Sequence, residues 1–133
     1  MSLTTHQIPE LEAVHRFPNH RRGPAEARHF VTETLRTWGC TPLVDDAAVI
    51  ASELATNAML HARTDFTVTV SRRASVVRIA VRDASCDPPK RRRGKPSAPS
   101  GRGLRLVEAL ASDWGTDFRA DGKVVWAQLL TRR

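Results

Sequence analysis

Glu53, Asn57 and His61 are spaced four residues apart in the stretch DDAAVIASELATNAMLHA, Asp45 to Ala62. Ala, Leu, Met and Glu fill most of it, and it contains no Gly and no Pro, so it reads as one helix. Four residues advance a helix by roughly 400°, so the three side chains stack with only about 40° of drift per step. Ile50, Leu54 and Ala58 repeat at the same interval and form a core-facing seam. The polar stripe lies about 100° round the helix from that seam. A carboxylate, an amide and an imidazole are therefore set beside a buried face. Taken alone, such a stripe is more often solvated than functional. Asn is a mild cost inside a helix, because its side chain competes for backbone partners, and that cost hints at another use for it.

Two further places could carry chemistry. In SGRGLRLV, Ser100 to Val107, a glycine pair spaced by one residue runs into a helix. Free backbone N–H groups and the positive end of a helix dipole favour a phosphate there, and Gly101 and Gly103 allow close backbone approach. The pattern is not a dinucleotide fingerprint, since no strand precedes it, nor a Walker loop, since GK[ST] is missing. Alone it reads as a hinge before a helix. Asp83 closes an apolar strand; a carboxylate there can accept a hydrogen bond from an exocyclic amine, or merely start a turn.

The elements that would position these groups follow from periodicity. Leu11 to Pro18 alternates weakly and reads as a strand. Gly23-Pro24 opens a helix seamed by Ala27, Phe30, Val31, Leu35 and Trp38, with Gly39 as its cap. Thr41-Pro42 supplies a cap and a first-turn proline for the next helix, and Asp45 and Asp46 suit its positive end. Phe66–Arg73 and Val76–Asp83 alternate with period two and form a hairpin turning at Ala74-Ser75. Ala84 to Arg102 holds four of the eight prolines and reads as a nineteen-residue loop, a length that is usually functional. A helix seamed by Leu104, Val107, Leu110 and Ala111 follows. Trp114–Phe118 and Val124–Leu130 close the chain as strands around a turn at Asp121-Gly122. This order predicts an α+β fold, a two-layer sandwich with helices on one face of a mixed, mostly antiparallel sheet.

The totals narrow the function. The 133 residues, 41% of them hydrophobic, suit one domain over 11–133 behind a flexible tail, 1–10. No apolar run is long enough to span a membrane, and the N-terminus has no secretory h-region. Cys40 and Cys86 show no metal or redox spacing and read as free thiols of a cytoplasmic protein. A net charge of +7 suits a polyanionic partner: nucleotide, nucleic acid or an acidic protein face. The run Lys90, Arg91, Arg92, Arg93 and Lys95 reads equally as a solvated charge run, a screen for phosphates or a dock for an acidic partner. Nucleic acid is disfavoured, because neither interleaved aromatics nor a recognition helix accompanies the run.

An E-x-x-x-N-A-x-x-H helix, a strand ending in Asp, a long lid and then G-x-G-L-x-x-V resembles the Bergerat, or GHKL, ATP-binding domain of gyrase, heat-shock chaperone ATPases, mismatch-repair ATPases and histidine kinases. The resemblance covers roughly Leu11 to Leu130. The wording ELATNAMLHA and GRGLRLV is most similar to anti-sigma-factor serine kinases of actinobacterial type. It implies that Asn57 holds Mg²⁺, that Asp83 binds the adenine amino group, and that Gly101, Arg102, Gly103, Leu104 and Arg105 wrap the ATP phosphates. It implies Glu53 as catalytic base, since an ionised carboxylate can take a proton from an attacking hydroxyl, and His61 at the far end of the pocket or orienting Asn57. Ser85 and Pro88 match a D-x-S-x-x-P form of the segment after the strand, Asp83-Ala84-Ser85-Cys86-Asp87-Pro88, and the flexible glycine of the related D-x-G form is missing. Val124 falls where relatives carry an adenine-side threonine, and it can neither donate nor accept. The implied partners are a sigma factor and its anti-sigma-factor antagonist, and a homodimer fits the pattern. The alternative is a nucleotide-sensing module without kinase activity.

Overall fold

Alternation of apolar and polar residues makes each strand two-faced, and the helices cover one of those faces. The computed structural model describes residues 10–85 and 99–131, apart from the side chains of residues 61 and 99–103. The expected tail lies outside these residues, as do most of the lid, Cys86, Pro88 and the basic run. The described strands are β1 (Leu11–Phe17), β2 (Phe66–Arg73), β3 (Val76–Asp83), β4 (Asp113–Arg119) and β5 (Gly122–Leu130). They form one sheet in the order β1-β2-β3-β5-β4. Every pairing is antiparallel, in keeping with the mostly antiparallel sheet expected. Tight turns dictate it in the β2–β3 and β4–β5 hairpins, because such a turn reverses the chain.

Helices α1 (Gly23–Thr37), α2 (Val44–Asn57) and α3 (Pro99–Leu110) lie over the sheet. The two-layer α+β sandwich is thus as expected. Val68 and Val70 of β2, Val77 and Ile79 of β3 and Ala127 of β5 meet Val31 and Leu35 of α1 and Ile50 and Leu54 of α2 in one core. The predicted seam of α2 is buried throughout: Ile50, Leu54 and Ala58. Gly39 ends α1 as predicted, with φ 75°. The Cys40 N–H donates to the Leu35 carbonyl at 2.8 Å and the Gly39 N–H to Arg36 at 3.0 Å, the paired bonds of a glycine-terminated helix. Gly23 is required by contact instead: a Cβ there would sit 3.1 Å from the Phe66 ring.

Two expected helix starts are corrected. Thr41 does not cap α2; Thr41–Leu43 forms a 3₁₀ turn without a side-chain cap bond, and α2 begins at Val44. The last helix begins at Pro99 instead of Gly103, because a proline suits the first helical turn. Gly101 and Gly103 therefore lie within the helix, and the lid ends earlier than expected.

Among the described residues the other sheet face carries no helix. There Trp126 lies against Gly115, where a Cβ would come within 2.8 Å of its ring. The Arg78 guanidinium stands 5.2 Å from the Trp126 centroid. Burial lowers the Arg78 pKa, partly opposed by Asp117.

Candidate functional site

One row of the sheet ends its helix-covered face. In register it reads Phe17, Phe66, Asp83, Lys123, Phe118 across β1, β2, β3, β5 and β4. Phe17 and Phe66 stack with centroids 5.5 Å apart. Beside them sits an ion pair with almost no access to solvent. Lys123 Nζ lies 3.0 and 3.2 Å from the two Asp83 carboxylate oxygens, and the side chains are 7% and 3% exposed. The Ser85 N–H donates to Asp83 Oδ1 at 2.8 Å, so the chain turning away from β3 also holds the carboxylate. Buried charges persist when paired and hydrogen-bonded, and this one has both.

Gly122 makes the row possible. Its φ is 152°, and a Cβ on it would come 2.0 Å from the Asp83 carbonyl oxygen. Only glycine lets β5 begin so close to the Asp83-Ala84 backbone. Lys123 follows directly and enters the pair.

The end of α2 reaches the same corner. The α-helix stops at Asn57 and the chain widens into a π-turn, Ala58–Ala62. The Arg63 N–H donates five residues back, to the Ala58 carbonyl, at 3.2 Å. Arg63 itself is left-handed, with φ 58°. Such turns frequently mark functional sites. Next, the Ala84 N–H donates to Thr64 Oγ1 at 3.2 Å. The segment after Asn57 is thereby tied to the residue after Asp83. Asn19 braces the turn from the opposite direction: its Nδ2 donates to the Thr64 carbonyl at 3.2 Å and to that of Met59 at 3.5 Å.

Glu53 and Asn57 remain one turn apart on α2, both half-buried beside the core seam, as the spacing predicts. His61 falls in the π-turn, and its side chain lies outside the described residues. Ser85 stands next to Asp83. Leu104 is half-buried and Arg105 exposed on α3, which packs against α2. The first-turn amides of α3, from Ser100 to Arg102, lack carbonyl partners within the helix, the arrangement that suits an anion.

Val124 needs correction as the adenine-side position. It pairs with Arg82 and points to the uncovered face, whereas Lys123 is the cross-strand neighbour of Asp83. Sequence reading missed Lys123. The one signal available was a lysine at an inward position of an apolar strand, a residue almost never buried unless paired. Asn19 and Thr64 were also missed, and Gly122 was read only as a turn residue.

The donor set suits a magnesium nucleotide. Among the described residues no group of three or more His, Cys, Asp or Glu could hold a metal ion. Mg²⁺ is ordinarily held by one or two protein oxygens together with substrate phosphates, not by a protein cage. The half-buried Asn57 amide can supply such an oxygen. Among the described residues no helix is long and apolar enough to cross a membrane. The family described as the histidine kinase-like ATPase domain matches residues 17–129. No curated protein matches the chain closely enough to stand beside it.

Proposed function

Because the chain belongs to the histidine kinase-like ATPase domain family, a family of ATP-binding domains, we propose that it is an anti-sigma factor with serine kinase activity. It would sequester an RNA polymerase sigma subunit and use Mg-ATP to phosphorylate a serine on an antagonist protein. The observation that carries this reading is the Thr64–Ala84 hydrogen bond, which joins the end of the Glu53–Asn57 helix to the Asp83 strand end.

Phosphoryl transfer needs positioning and charge neutralisation more than covalent help. Asp83 would accept a hydrogen bond from the adenine amine. The first-turn amides of α3, with Arg102 and Arg105, would receive the phosphates. Asn57 would hold Mg²⁺, which offsets charge on the phosphates when bound. Glu53 would take the proton from a serine hydroxyl of the antagonist. The serine oxygen would bond to the γ-phosphorus as the bond to the bridging oxygen of ADP breaks. The basic run from Lys90 to Lys95 would contribute charge toward the phosphates or an acidic partner face.

Isothermal titration with Mg-ATP and Mg-ADP tests the binding half. Binding should be measurable and should weaken at least about tenfold in Asn57→Ala. No heat with either nucleotide, and no change on substitution, would remove it. Incubation with γ-labelled ATP and candidate antagonists tests the transfer half. Label should reach a partner serine, and Glu53→Gln should bind ATP but lose transfer. A Glu53→Gln protein that still phosphorylates removes the base assignment. A second reading, a nucleotide-sensing module without transfer, predicts retained ATP and no label.

A further inference from the structure

We propose that Lys123 is a base-reading residue, and that it donates a hydrogen bond to the ring nitrogen beside the amine that Asp83 accepts. The inference rests on the nucleotide reading of the site and adds its second recognition group. An ammonium carries three N–H donors and no acceptor. At most two of them engage the Asp83 oxygens, at 3.0 and 3.2 Å. Among the described residues no other side chain or carbonyl accepts from Lys123. A buried donor without an acceptor is costly, and an ammonium more so.

The pair presents an acceptor and a donor side by side in one sheet row. Adenine presents the complement on its Watson–Crick edge: an exocyclic N6–H donor next to the N1 acceptor. Asp83 therefore matches N6 and Lys123 matches N1. Phe118 extends the row. It lies directly across from Lys123 on the same face, and it is 56% exposed. Its ring offers apolar surface next to the polar pair, the surroundings a planar base requires. A charge-assisted bond to N1 differs from recognition by a carboxylate alone, which reads only the amine.

The test compares ATP with 1-deaza-ATP, in which N1 is a C–H, and uses 7-deaza-ATP as control. For the unaltered protein, Kd should rise roughly tenfold or more for 1-deaza-ATP, the range of a lost hydrogen bond to a charged group, and little for 7-deaza-ATP. In Lys123→Thr the ratio between ATP and 1-deaza-ATP should fall below about threefold. The ¹⁵Nζ resonance of Lys123 provides a readout without substitution, useful should Lys123→Thr not fold. It should shift with ATP and stay in place with 1-deaza-ATP. Equal binding of ATP and 1-deaza-ATP, an unchanged ratio in Lys123→Thr, or an Nζ signal indifferent to ATP overturns the assignment to Lys123 while nucleotide binding stands. Binding of none of the three overturns the nucleotide reading and this one with it.

Discussion

Asp83 and Lys123 are each tolerable in the interior only because of the other. Removing one partner of a buried pair leaves an uncompensated charge, at a cost of about 3–5 kcal/mol. Lys123→Met should lower unfolding stability in urea by that much. The double variant Asp83→Leu with Lys123→Met should recover most of the loss, because it removes both charges. If the double variant is no more stable than Lys123→Met, the two residues are not coupled as their distances indicate. Gly122→Ala acts on the same corner by sterics. Its Cβ would meet the Asp83 carbonyl, a backbone atom that cannot swing aside. A loss of at least about 2 kcal/mol is expected from overpacking and an unfavourable φ, read as a lower urea midpoint at unchanged slope.

At the scale of elements, the consequential device is the change from α-helix to π-turn after Asn57. Asn19 supports it by donating to two carbonyls that the widened chain presents. Asn19→Ala should cost about 1–2 kcal/mol and speed amide exchange around residues 58–64 more than in β2 or β3. Uniform exchange would show that the turn holds itself. This turn also marks where sequence reading stops. Strands β2 and β3 were legible to the residue, because Val68 and Val70, and Val77 and Ile79, recur every second position and bury one face. The α2 seam was legible through Ile50, Leu54 and Ala58. Nothing in AMLHA signals a π-turn, since Ala, Met and Leu favour the α-helix. The contacts that meet it come from Asn19, some forty residues earlier. Lys123 was barely legible for a related reason. Its partner is fixed by the register between β3 and β5, and register is a property of two strands, not one. Glu53, Asn57 and Asp83 could be singled out because each sits at a defined place on its own element.

At the scale of the molecule, the pairing of β3 with β5 joins two continuous parts of the chain. The first runs from β1 through β3, and the second from α3 through β5. Asp83 belongs to the first and Lys123 to the second. The proposed phosphate-binding helix is in the second part, and Glu53 and Asn57 are in the first. A nucleotide spanning these groups should therefore hold both parts together. Mg-ATP at 100 times its Kd should raise unfolding stability by about 2.7 kcal/mol. The gain should be absent for Asp83→Asn if that carboxylate is the base contact. The same seam could be exploited as a sensor. Cleaving the chain between residues 86 and 98 would leave every described strand intact, and the two fragments would reassociate more tightly in the presence of ATP. Complementation of the separated pieces would then report nucleotide concentration by their affinity for each other.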